Sequence, residues 1–130
     1  MHREFPNGPG RSSSPAFRWL PYPARLAVFD TRRGQIVASP TIVKSSDDHL
    51  FDTNRDRIYV LGEGSYSQRF AKHFIEDWQQ KESDHYERIG RCATPYRDHT
   101  GLFVPELREL FEAVPHRGEQ PAEILVYEAK

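Results

Sequence analysis

Six histidines are spread along this chain, and three of them directly follow an aspartate: Asp48-His49, Asp84-His85 and Asp98-His99. Imidazole beside carboxylate is a pairing that can bind a divalent cation or polarise a water molecule. Neighbours along a strand point to opposite faces, so one such dipeptide is no proton relay by itself. Two of the three are more informative, because Asp48-His49 precedes Leu50-Phe51 while Asp98-His99 comes just before Gly101-Leu102-Phe103. If two similar strands converge on one channel, Asp48, His49, Asp98 and His99 are the residues that would meet a ligand or metal there. The plainer account is hydrogen bonding at strand ends.

A second acidic pattern has calcium-loop spacing. Asp52, Asn54 and Asp56 stand at alternate positions and Glu63 falls at the twelfth place, matching most acidic positions of an EF-hand loop. The sixth position is Arg57, where the sharp turn of such a loop calls for glycine, and residues 42–51 lack a helical pattern. A β-turn between two strands explains the same residues.

Other reactive groups are poorly set. Ser65 follows Gly62-Glu63-Gly64, but Ser67 occupies the place of the closing glycine of a nucleophile elbow. Gly62 and Gly64 lack the third glycine of a dinucleotide loop. The one cysteine, Cys92, leaves no partner for an intrachain disulfide and no thiolate cage for zinc. No zinc-protease, Walker or kinase pattern is present.

The totals narrow the function classes further. Lys and Arg number 18 against 19 Asp and Glu, a formal charge of −1. No basic excess exists to hold a phosphate backbone, so nucleic acid is not an expected partner. Apolar runs such as residues 26–29 are far too short to cross a bilayer. Residues 1–23 contain no apolar leader segment, which predicts a chain that stays in the cytoplasm as written.

Composition divides the chain into two parts. Residues 1–23 carry five prolines, two glycines and a serine run, and are expected to be poorly ordered, with order beginning at about Arg25. Residues 24–130 read as one domain of short strands. The segments 25–30, 35–38, 49–52, 57–61, 86–92, 101–104, 110–114 and 124–128 are bounded by turn residues, with Gly34 supplying a positive φ after residues 31–33. One stretch differs. Tyr66, Phe70, Phe74 and Trp78 recur every four residues, which predicts a short amphipathic helix over about 66–80, packed on the sheet.

The chain also partly repeats itself. Leu50-Phe51 with Arg57-Ile58-Tyr59-Val60-Leu61 matches Leu102-Phe103 with Glu109-Leu110-Phe111-Glu112-Ala113. Leu26-Ala27-Val28-Phe29-Asp30 matches Ile124-Leu125-Val126-Tyr127-Glu128, with a weaker middle copy near residues 74–77. A period near fifty residues is the size of one four-stranded propeller blade.

On these residues the chain resembles the YVTN-repeat β-propellers, the YncE-like proteins. Phe29-Asp30-Thr31 followed by Gly34-Gln35-Ile36-Val37-Ala38 looks like their strand-turn-strand unit, and Arg57-Ile58-Tyr59-Val60 like the strand that names them. The similarity covers roughly residues 24–64 and 79–130. It implies an all-β fold, a partial β-propeller of two to three antiparallel blades from the C-terminal end of such a protein. Full-length relatives have about seven blades and are periplasmic or secreted, so this chain is a fragment by comparison. A partial ring leaves blade faces bare, which predicts self-association or attachment to another protein. The resulting expectation is a non-enzymatic binding or interaction module with no required cofactor. The alternative is a remnant of a propeller enzyme, a lactonase or quinoprotein-like dehydrogenase, with a divalent cation or ligand at the central channel.

Overall fold

The computed structural model describes residues 2–4, 15–21, 24–65, 72–95 and 100–130. These residues form an all-β fold of three antiparallel sheets with no helix among them. The first sheet, A, runs in chain order β1 (His2–Glu4), β2 (Pro15–Pro21), β3 (Ala24–Asp30) and β4 (Gln35–Ala38). Sheet B follows with β5 (Lys44–Asp52), β6 (Arg57–Ser65), β7 (Lys72–Glu82) and β8 (His85–Thr94). Sheet C has β9 (Thr100–Val104), β10 (Glu109–Val114) and β11 (Glu123–Glu128). Each sheet is thus a meander of consecutive antiparallel strands, which is consistent with a partial β-propeller-like all-β fold.

Three hairpins share one turn design. Residues 31–34, 53–56 and 105–108 each close a four-residue turn, and its last residue is left-handed: Gly34 at φ 65°, Asp56 at 56° and Arg108 at 57°. In the first two, an aspartate ending the outgoing strand holds the turn. Asp30 Oδ1 accepts the N–H groups of Arg32 and Arg33, and Asp52 Oδ1 those of Asn54 and Arg55. The third has Val104 in place of the aspartate, and Pro105 instead fixes φ at the first turn position. Asx-type capping and proline are two physical solutions to one geometry.

Two apolar layers hold the sheets together. Leu26 and Val28 of sheet A, with Ile42 and Val43 of the connection to β5, pack against Ile58, Val60, Trp78 and Tyr86 of sheet B. On the other side of sheet B, Leu50, Tyr59, Leu61 and Ile75 pack against Phe103 and Leu110 of sheet C, with Tyr127 beside them. Strand alternation explains the division, since even positions of β6 face sheet A and odd positions face sheet C.

The helix expected over about 66–80 is corrected: residues 72–82 are strand β7, paired on both edges, while 66–71 lie outside the described residues. The reason lies in the spacing. Four is an even number, so a strand also gathers positions 74 and 78 on one face. A helix stripe needs apolar residues at i+3 as well, and those places hold Arg69, His73 and Asp77. In β7, Trp78 faces the sheet A layer while Ile75 faces the sheet C layer. Residues 15–21, within the segment expected to lack order, form β2 between β1 and β3, with Pro15 and Pro21 confined to the strand ends.

Gly62 allows β5 to bulge where its register shifts between Lys44 and Asp48. A Cβ there would lie 2.7 Å from the Lys44 carbonyl oxygen and 3.0 Å from Ser46 Cα, both backbone atoms. Gly62→Ala should therefore lower unfolding stability by about 1–2 kcal/mol, the overpacking cost exceeding the entropy gained. Urea denaturation checks this, and a variant at least as stable as wild type would refute the close approach.

Candidate interaction face and buried polar clusters

The register separates the residues of the first Asp-His pair. Asp48 lies opposite Leu61 and His49 opposite Val60, so Asp48 points toward sheet C and His49 toward sheet A. Both are buried, at 6% and 4% exposure. The Asp48 carboxylate accepts the His49 backbone N–H at 3.0 Å and that of Gly101 at 3.4 Å, which ties β5 to β9. Asp98 and His99 lie outside the described residues, and so does any meeting of the two pairs.

The acidic residues with calcium-loop spacing sit on the β5–β6 hairpin, flanked by strands where an EF-hand has helices. Asp52 is fully buried and committed to its own turn, with Oδ2 at 3.1 Å from Arg55 Nη1. Asn54 and Asp56 are turn residues. Glu63 is six residues up β6 from Arg57, which is about 20 Å at strand rise. It contacts the buried His73 instead, with Oε1 at 3.4 Å from Nε2. Among the described residues no group of three or more His, Cys, Asp or Glu is placed to hold a metal ion.

Polar groups that spacing did not single out are buried as deeply as Asp52. Glu76, 1% exposed, accepts three hydrogen bonds: from the Val43 backbone at 3.0 Å, Trp78 Nε1 at 3.1 Å and Arg88 Nη1 at 2.9 Å. It thereby joins the connection between sheets A and B to β7 and β8. Glu112 is fully buried and accepts from the Tyr127 hydroxyl at 3.0 Å. Arg57 reaches Asp77 Oδ2 at 3.3 Å and Gln79 Oε1 at 3.2 Å, and donates to the main-chain oxygen of Lys130. Tyr59, Asp77, Arg91, Cys92, Tyr127 and Lys130 line a cleft of about 430 Å³ between sheets B and C.

Burial pushes the Asp77 carboxyl above its ordinary value; Arg57 draws it back and Asp52 raises it again. The Tyr59 phenol is raised by burial, then by Asp77 and Asp52, against Arg57.

Among the described residues, the outward face of sheet C carries exposed apolar side chains. Leu102, Phe111 and Val126 lie in one cross-strand row, and Thr100, Ala113 and Ile124 in the next. Leu102 and Ile124 are 60% exposed and Val126 52%. The matching rows of sheet B are Leu50, Tyr59 and Asp77, then Asp48, Leu61 and Ile75. There Leu50 is 7% exposed and Leu61 fully buried, because sheet C covers them. The same face therefore recurs, covered once and bare once. Alternation within 124–128 and the internal repeat were the sequence signals that could have located it.

Comparison with protein-family models, with curated proteins and with solved structures finds no match. No helix among the described residues is long and apolar enough to cross a membrane.

Two expectations follow from the buried groups. Glu76→Ala strips the acceptor from Val43 N–H and Trp78 Nε1 inside the sheet A–B layer, and should cost roughly 3 kcal/mol in urea unfolding. A loss below about 1 kcal/mol would show that the carboxylate is not a structural hub. For Asp77, a raised folded value means that the native state holds the proton more tightly than the unfolded chain. Its contribution is complete below the ordinary value of 3.8 and is lost as pH rises through the folded value. Asp77→Asn should flatten that fall in stability as pH rises above the ordinary value of 3.8, measured by denaturation midpoints. Parallel wild-type and variant curves would contradict the assignment.

Proposed function

We propose that this chain is a non-enzymatic interaction module, a YVTN-type propeller fragment that binds through a bare blade face. The observation that carries the reading is the outward face of sheet C. Its residues Leu102, Phe111, Ile124 and Val126 repeat the positions by which sheet B receives a neighbouring sheet. Apolar area of this kind on a soluble domain marks an association surface. The three chain-order meanders and the shared turn design support the propeller relationship, since blades are repeated supersecondary units that complete their cores against neighbours.

The test is size exclusion coupled to light scattering, with wild type compared to a double variant, Leu102→Glu with Val126→Glu. Wild type should have a mass above the 15.1 kDa of one chain, and the charged variant should fall to that mass with unchanged circular dichroism. A wild type that is monomeric at every concentration and does not bind a hydrophobic dye would end this reading.

A further inference from the structure

We infer that the cleft between sheets B and C binds a small uncharged molecule that has an aromatic body and one N–H or O–H donor. The inference is independent of the outward face of sheet C, which lies on the other side of that sheet.

Gly90 is a glycine that the backbone does not require. Leu50, Tyr59, Asp77 and Gly90 form one cross-strand row of sheet B, on the face toward sheet C. β8 bulges beside this row, where Ile89 falls between the partners of Asp77 and Trp78. That bulge does not call for glycine, because Gly34 and Gly118 are the described glycines with a left-handed φ. Crowding does not call for it either. A Cβ at Gly90 would meet only Asp77 Cβ, at 3.6 Å, which is ordinary contact. Glycine inside a strand costs stability relative to a residue with a side chain, and often marks the close approach of a ligand. What Gly90 provides is open space beside the Asp77 carboxyl.

That space belongs to the cleft of about 430 Å³, a volume within the range of small-molecule sites. Ile75 and Leu110 give it apolar walls, and Tyr59 and Tyr127 add aromatic rings. The Tyr59 ring is backed by Phe103, with centroids 5.1 Å apart. Residues 128–130 form one lip, where Arg57 holds the main-chain oxygen of Lys130. Arg91 also lines the cleft, but its guanidinium lies over the Phe74 ring at 3.7 Å, toward the sheet A layer. A flat apolar ring fits this lining better than an aliphatic chain, since stacking on the tyrosines adds to burial.

The Asp77 carboxyl supplies the polar anchor. Arg57 takes Oδ2 at 3.3 Å, while Oδ1 is buried with no hydrogen-bond partner among the described residues. The side chain is 23% exposed, and a turn about its broad χ2 brings Oδ1 to the cleft. An acceptor left without a donor is costly, so a ligand N–H or O–H at this oxygen gains affinity. Charge of either sign is disfavoured on the ligand. A cation would meet the Arg57 guanidinium and an anion the carboxylate, because the two are fixed side by side.

The test uses indole as probe, with 1-methylindole, which lacks the donor, and tryptamine, which adds a positive charge. Equilibrium dialysis should give indole a Kd of about 1 mM or below. It should bind about fivefold more tightly than 1-methylindole, and more tightly than tryptamine. Cys92, the only cysteine, lines the same cleft two residues from Gly90, so indole should slow its alkylation by iodoacetamide. Gly90→Leu fills the space and should weaken indole binding at least about fivefold with an unchanged circular dichroism spectrum. Gly90→Ala, with a smaller loss, replaces it if the strand signal falls. Asp77→Ala should make indole and 1-methylindole bind equally. Indole that does not bind at about 1 mM, or binds Gly90→Leu as well as wild type, would overturn the inference. So would 1-methylindole or tryptamine matching indole on the wild type. Binding that disappears in the Leu102→Glu, Val126→Glu double variant and leaves Cys92 alkylation unchanged would move the probe to the outward face of sheet C, ending the cleft site while the interaction-face reading stands.

Discussion

A β-sheet has two faces, and an apolar face stays out of water only when something lies against it. Sheet B meets this demand on both sides, with Ile58 and Val60 under sheet A and Tyr59 and Leu61 under sheet C. The period of two in β6 makes this division automatic, because adjacent residues of one strand serve two different cores. The rest of the described structure depends on that central sheet. Among the described residues sheet C has one neighbouring sheet, so it buries one face and leaves Leu102, Ile124 and Val126 of the other exposed. The polarity of the stacking is the same at both junctions, which makes the chain directional from its first sheet to its last.

Polar burial is fitted around this apolar layering. Glu76 occupies the sheet A side of β7 between Phe74 and Trp78, where three donors satisfy it, and Arg88 supplies charge from β8. The rim of the sheet B–C junction has a different character. There Arg57 is shared among Asp77, Gln79 and Lys130, and desolvation outweighs its attraction for the Asp77 carboxylate. One junction is locked by a satisfied buried anion, the other edged by a cluster under electrostatic tension.

Much of this was legible in the sequence where local chemistry decides structure. Asp30-Thr31 with Gly34, and Asp52-Thr53 with Asp56, mark turns because aspartate can hold the backbone of the next residues, and the flanking strands follow from them. The all-β class and most strand positions come from that punctuation. The segment around Phe74 and Trp78 misled because a four-residue recurrence satisfies a strand as well as half of a helix stripe. β2 was hidden by Pro15 and Pro21, whose effect is confined to its ends. The buried partners of Glu76, His73 and Glu112 were not legible, since each depends on residues brought together only by packing between strands. Asp48 and His49 were correctly expected to diverge, because alternation alone separates them. The suspected ligand groups at Asp98 and His99 fall outside the described residues.

The bond from Val43 N–H to Glu76 spans 33 residues of chain, and it sets an order of events during synthesis. The β3–β4 and β5–β6 hairpins close over four-residue turns and can form as soon as they emerge. The connection between them cannot: its buried acceptor belongs to β7, which the ribosome delivers later. Until then the Val43 N–H has only water to bond, and Ile42 and Val43 are an apolar stretch open to capture by other strand edges. Vectorial synthesis thus leaves this joint open after the β3–β4 and β5–β6 hairpins have closed. Slower translation across residues 44–76 would lengthen that exposure.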